Sequence, residues 1–321
     1  MKFSKRQTSL ARILTISLLA GLWAQSPLHL QAATAPGGEQ TFATPNDAIK
    51  ALRAAIETDD QPALARIFGP QIHELMTGDK VQDANNEKMF AAKMAEKCDP
   101  VGDGDNKITL VIGDEEWPMP IPLVKADDQW YFDTASGKEE IINRHVGRDE
   151  IEAINVCRVY VKAQRRYARE NPQGGAETAY AQHLKSKPGQ KDGLYWPVSA
   201  GERKSPFGSL VAEAESEGYV VHARGTGRHP FHGYYFRILT QQGGSAPGGA
   251  MDYITNGSLT QGFALVAYPE TWDQSGVMTF IVNQDGKVYQ KNLGEDTASI
   301  ARSMKKYDPD SSWELVPEEN Q

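Results

Sequence analysis

Apolar positions along this chain follow two periods in turn, one near 3.6 residues and one near 2, and the switches between them mark its elements. Ala48, Leu52, Ala55 and Ile56 recur at helical spacing. Thr44 can cap that helix, Pro45 suits its first turn and Asp47 suits its dipole, so a helix is predicted through Glu57. A second short helix is expected from Pro62 through Phe68, stopped by Gly69-Pro70. Ile72–Met76 reads as an apolar turn, and Met89, Phe90 and Met94 as a helix ending near Cys98. Lys107–Ile112 then alternates as a strand does. The prolines of Trp117-Pro118-Met119-Pro120-Ile121-Pro122 stand two apart and remove donors from one side of an extended chain. An edge strand or polyproline-like segment is predicted there. Gln129–Phe132 pairs back through the turn Ala126-Asp127-Asp128.

The longest helical pattern runs from Lys138 to about Glu170. One stripe holds Ile151, Ile154, Val161 and Ala168, and an adjoining one Ala153, Val156, Tyr160, Ala163 and Tyr167, which is wide enough for a mostly buried helix. Gly147 marks a place where two helices could meet. Residues 176–222 read as a long connection with helical pieces near Thr178–Leu184 and Pro206–Glu215. An antiparallel meander follows at Tyr234–Leu239, Gly262–Pro269, Gly276–Val282 and Lys287–Gln290. Asn283-Gln284-Asp285-Gly286 makes its last hairpin, and a helix is predicted over Asp296–Met304. The class expected is α+β. A domain of helices and curved antiparallel sheet spans 34–137, and a long helix on an antiparallel meander spans 138–321. The first pattern, over 42–133, is similar to the NTF2-like cone. The order of Asp149-Glu150, Ala163-Gln164, Tyr167 and the later Gly-Tyr-x-Phe strand, over 147–291, is similar to the globular head of type IV pilins. In pilins that helix opens the chain as a membrane-held segment, whereas here a whole domain and Arg144, Arg148 and Arg158 come with it.

The start of the chain has a third pattern. Lys2, Lys5, Arg6 and Arg12 precede an uncharged apolar run, Ile13–Trp23, and small residues follow at Ala32 and Ala33. That order predicts a cleaved secretory signal over residues 1–33 and a periplasmic or secreted address. The run is too short to span a bilayer, so no stable membrane insertion is expected after cleavage. The formal charge is −8, and losing four basic residues would leave about −12. Such a balance argues against nucleic acid as a partner. An oxidising compartment would allow Cys98 and Cys157 to form one disulfide, and two buried thiols are the alternative.

Specific stretches resemble one bacterial exported family, DUF2950. They are Trp117 to Lys125, Gly147-Arg-Asp-Glu, Ala163-Gln-Arg-Arg-Tyr, Asp192-Gly-Leu-Tyr-Trp-Pro, Ser205-Pro-Phe-Gly, His232 to Leu239, Ala246-Pro-Gly-Gly-Ala and Gly276 to Asn283. The resemblance covers nearly all of the chain beyond the leader. It implies an envelope address and carries over no catalytic residue, because the family is named for having no assigned function.

Few residues point to chemistry directly. His229 and His232 stand three apart, and with a carboxylate such as Asp252 could approach a zinc site, but no third ligand is fixed and no metal is expected. The glycine loop 243–249 lacks the Lys-Ser/Thr end of a phosphate cradle and reads as a mobile hairpin loop. Adjacent acids such as Glu115-Glu116 and Asp149-Glu150 point apart, so none is an acid–base pair by adjacency. No cofactor is implied. The binding candidates are Trp117, Trp130, Tyr195, Trp196, His232 and Tyr234, which would suit an envelope protein or glycan. The expectation is a non-enzymatic binding or scaffolding module. The alternative is a hydrolase acting in the N-terminal cone or at the domain junction near His232.

Overall fold

A computed structural model describes residues 35–175, 177–219 and 230–317 of the chain. The leader at 1–33 and His229 lie outside them. The described residues belong to one compact unit.

Helix α1 (Pro45–Glu57) begins where Thr44 Oγ1 accepts the Asp47 amide at 3.2 Å, and it buries Ala48, Leu52 and Ala55. Helix α2 (Gln61–Phe68) starts at an Asp60 cap, and a 3-10 turn (Pro70–Leu75) follows. Helix α3 (Lys80–Glu96) starts well before Met89 and Phe90, because the Asp79 carboxylate caps it by accepting the Val81 and Gln82 amides. Strands β1 (Cys98–Gly102), β2 (Lys107–Ile112), β3 (Trp117–Pro118), β4 (Leu123–Ala126) and β5 (Gln129–Phe132) form an antiparallel sheet in the order β1-β2-β4-β5, with β3 also paired to β2. β1 carries Pro100 and is exposed beyond Cys98, as an edge strand can be. Of the proline segment only Trp117–Pro118 pairs, while Met119 and Ile121 turn into the core. Leu52, Ile67, Phe68, Leu110, Leu123 and Phe132 fill that core between helices and sheet.

Helix α4 (Thr134–Glu170) is one unbroken helix of 37 residues, so Gly147 does not divide it. Glycine weakens a helix interior by about 1 kcal/mol, and the packing of the turns beyond it offsets that cost. Gly137 lets the first turns close on the proline segment, since a Cβ there would lie 2.6 Å from Ile121 Cγ1. From Ala153 onward the helix buries Cys157, Tyr160, Val161, Ala163 and Tyr167 in a second core. The chain leaves through Asn171, in the left-handed conformation with φ 42°.

Strands β6 (His183–Lys185) and β7 (Gly193–Tyr195) pair in parallel where a helical piece was expected at Thr178–Leu184. The Gln164 side chain of α4 takes both backbone groups of Ala181, accepting its amide at 2.8 Å and donating to its carbonyl at 2.9 Å. Helix α5 (Gly208–Glu217) follows. β8 (Tyr234–Leu239) opens the second half, then β9 (Gln241–Gln242), β10 (Met251–Asp252) and the small hairpin of β11 (Ile254–Thr255) and β12 (Ser258–Leu259). β13 (Ala264–Pro269), β14 (Met278–Asn283) and β15 (Val288–Asn292) complete the meander. Helix α6 (Thr297–Ser303), β16 (Lys306–Tyr307) and β17 (Glu314–Leu315) close the chain. The main sheet is antiparallel in the order β17-β15-β14-β13-β8. β13 is buried on both faces: Leu265 and Ala267 join the core under α4, and Ala264, Val266 and Tyr268 join a third core with Ala301 of α6. An uninterrupted apolar strand is what a central position between two layers requires.

The glycine loop is tied down rather than loose. Asp308 accepts the Ser245 amide, and Gln242 donates to the Pro247 and Gly249 carbonyls. Cys98 and Cys157 are both free and buried, each in a different core, and no bridge joins them.

Candidate functional site

The six aromatic and imidazole candidates separate into packed residues and lining residues. Trp130 is buried in the N-terminal core. Trp117 is half-buried beside it, with the Arg144 guanidinium 5.1 Å from its ring centroid. Tyr234 is fully buried and donates its hydroxyl to the Met278 carbonyl at 2.9 Å. These three are held by packing and hydrogen bonds of the fold.

Tyr195 and Trp196 do come together, at the end of β7. They line a pocket of about 250 Å³ with Pro197, Val198, Lys204 and Ser205 and with one face of α5, Gly208, Val211, Ala212 and Glu215. Positions 208, 211, 212 and 215 recur at helical spacing, so a single stripe of α5 forms this wall. Tyr167 meets the Trp196 ring edge-on at 6.4 Å, and Lys191 Nζ stands 5.7 Å from it. The opposite lip is fixed by Arg166, which donates to the Lys204 carbonyl at 2.5 Å and the Ser205 carbonyl at 3.5 Å. Ser205 is 1% exposed, and its Oγ has no hydrogen-bond partner among the described residues.

His232 stands at a second place, where α3 and α4 meet the segment before β8. Its backbone has φ 45°, and its Nε2 lies 3.0 Å from Glu217 Oε2. The pair is close without forming an aligned hydrogen bond: among the described residues neither His232 Nδ1 nor Glu217 Oε2 has a hydrogen-bond partner. The His232 amide donates to the Tyr219 hydroxyl at 3.4 Å, and that hydroxyl donates to Asp79 Oδ2 at 2.7 Å. Burial, with Asp79 alongside, drives the Tyr219 hydroxyl strongly upward, so it is a donor throughout the ordinary pH range. Beside it Gln82 donates to Asp149 Oδ1 at 2.6 Å. Asp149 Oδ2 has no hydrogen-bond partner among the described residues, and a Cβ on Gly233 would lie 2.8 Å from it. Burial pushes the Asp149 carboxyl up to about 7 against the opposing pull of Gln82 and Arg148. Arg148 reaches Asn86 Oδ1 and His145 Nδ1, each at 3.2 Å. Burial, then the charge of Arg148, pushes His145 down to about 4 and keeps it neutral. The neighbouring Glu150 Oε1 accepts the Val277 and Met278 amides, both at 2.9 Å.

An open cleft of about 660 Å³ adjoins this network. His73–Thr77 form one wall, the first turns of α4 from Ala135 to His145 another, and Asp273 and Gln274 a third. Glu74 and Lys138 form an ion pair among its lining residues. Asp252 is engaged with the Ile254 amide and Gln241. Among the described residues no three His, Cys, Asp or Glu side chains are placed to hold a metal ion, and no helix is long and apolar enough to cross a membrane.

Adjacency hid Asp149 in the sequence, where it reads as one of two neighbouring acids. Counting back along the buried stripe from Tyr167 through Ala163, Tyr160, Val156 and Ala153 reaches Asp149 one turn earlier, and that signal places it inside. Ser205 and Tyr219 carry no comparable signal, because neither falls in a periodic segment. No curated protein and no solved structure matches the chain. Residues 39–316 match the family described as protein of unknown function (DUF2950), and the chain belongs to that family.

Proposed function

We propose that the protein is an exported module of the cell envelope, periplasmic or secreted, that binds another envelope component without transforming it. The observation that carries this reading is the Tyr195–Trp196 pocket, in which aromatic surface and an unpartnered hydroxyl stand together. Convergent polar groups in an apolar-walled concavity are the usual form of a binding site. The basic, apolar and small-residue order of residues 1–33 supports export. The pattern likenesses to NTF2-like cones and pilin heads support a binding role by analogy of fold alone.

The test is retention of envelope material by the tagged protein recovered from cells, with Trp196→Ala alongside. A component held by the wild type and lost by a variant with an unchanged melting temperature is the expected result. Equal retention by both proteins would remove the pocket from the reading.

The junction favours a second reading, a hydrolase. Among the described residues Asp149 Oδ2, His232 Nδ1 and Glu217 Oε2 are buried without hydrogen-bond partners, and His232 has a left-handed backbone. Strained backbone and unsatisfied buried groups concentrate at working sites. Against this, Asp149 has no exposed surface, and its neighbours Gln82, Asn86 and Tyr219 tie α3 to α4 and to the end of α5. Turnover of an ester or glycoside that His232→Ala abolishes would reverse the order of the two readings.

A further inference from the structure

We infer that the Tyr195–Trp196 pocket receives one sugar ring bearing a carboxylate, with the carboxylate at the start of α5 and the ring against Trp196. This rests on the reading of that pocket as the binding site. Four observations give the ligand its shape and charge.

The first is the start of α5. Phe207 caps it with no side-chain acceptor. The Gly208 amide bonds the Ser205 carbonyl and the Val211 amide the Phe207 carbonyl, and between them Ser209 and Leu210 find no backbone acceptor among the described residues. A helix start with open amides favours an anion. The second observation is independent of the helix. Ser205 lines the same pocket, is almost wholly buried, and has no partner for its Oγ. A buried hydroxyl without a partner is costly unless a ligand supplies one. Gly208 keeps the approach open, because a Cβ there would stand 3.3 Å from that oxygen and 2.9 Å from Lys204 Cβ.

The third observation is polarity along the pocket. Lys204 stands at the Ser205 end, and Glu215 lines the wall about two turns further along α5. Negative charge is therefore favoured at the Ser205 end and disfavoured at the Glu215 end. The fourth is size. About 250 Å³ holds one ring and not a row of them. Trp196 offers an aromatic surface to the C–H face of such a ring, as aromatic residues do with amphipathic partners. A uronic acid carries both features, a carboxylate on one side of the ring and hydroxyls on the other.

The experiment is titration of the intact protein with glucuronate, glucose and acetate, read by calorimetry and by the fluorescence of its tryptophans. Wild type, Ser205→Ala, Lys204→Ala and Trp196→Ala are compared. Glucuronate is expected to bind about tenfold more tightly than glucose, and added salt weakens it. Ser205→Ala is expected to lose most of that preference at an unchanged melting temperature, since its hydroxyl has no intramolecular bond to lose. Trp196→Ala is expected to weaken both sugars. Equal binding of glucuronate and glucose, both lost in Trp196→Ala, would overturn the carboxylate inference and leave the pocket reading intact. Acetate binding as well as glucuronate, or a Ser205→Ala variant with unchanged preference, would also overturn it. If no sugar binds, the inference fails, and the envelope retention experiment judges the pocket separately.

Discussion

Asp149 holds its carboxyl in the interior with a hydrogen bond from Gln82 and the cation of Arg148 nearby. Asp79 and Asp83 of the facing segment add repulsion, and burial is the largest cause of its upward shift to about 7. The folded protein therefore keeps a proton that the unfolded chain releases near pH 4. As pH rises from about 4 to about 7 the unfolded state is progressively favoured, and stability falls across that window and levels off above it. Asp149→Asn keeps an oxygen for Gln82 and has no charge to bury. The variant is expected to match wild type near pH 4 and to exceed it at pH 8 by up to about 4 kcal/mol. Urea midpoints measured from pH 4 to pH 8 check this. An unchanged slope in the variant would show that another group sets the pH dependence.

At the scale of elements, α4 has the simplest consequence. Gly147 is helical, and nothing lies within 4 Å of where its Cβ would stand. Gly147→Ala is expected to raise stability by about 0.5–1 kcal/mol, seen as a higher melting temperature. A loss instead would mean that the helix needs to bend there. The same element shows what the residues disclose in advance. Its stripe from Ala153 to Tyr167 is legible because apolar side chains repeat at helical spacing over about four turns, whereas Ile151 of the adjoining stripe is exposed. The helix α1 and the strands β2, β5, β8 and β13 are legible for similar reasons, a cap or a short apolar run. The start of α3 is not, because its first turns, Gln82 to Glu87, are polar and only the Asp79 cap announces them. β1 and β6 escape because their own side chains show no alternation, and each is extended through its pairing with the next strand. The pocket was half legible: Tyr195 and Trp196 are conspicuous as aromatics, while Ser205 acquires meaning only when α5 folds over it.

At the scale of the whole molecule, the two halves are joined by more than the continuity of α4. Gln82 reaches Asp149, Tyr219 reaches Asp79, and Asn85 donates to the Glu217 carbonyl at 2.8 Å. Hydrogen bonds that span the same junction are lost together when either side moves. This bracing gives the cleft beside His73 and His145 walls from α4, the 3-10 turn and the loop before β14. A partner seated there would touch both halves at once, whereas one held at Trp196 would touch the C-terminal half alone.

The two buried thiols turn this architecture into a pair of clocks. Cys98 reports the N-terminal core and Cys157 the core under α4. Burial raises both thiols, Cys157 to about 12, so neither reacts in place and alkylation must wait for its own core to open. When alkylation of the open chain outpaces its reclosing, a chain that opens in one step is modified at both thiols in the same opening. Mass spectrometry of a timed alkylation is expected to show doubly modified chains appearing without a singly modified lag. A lasting population modified only at Cys98 would instead reveal that the N-terminal layer breathes by itself.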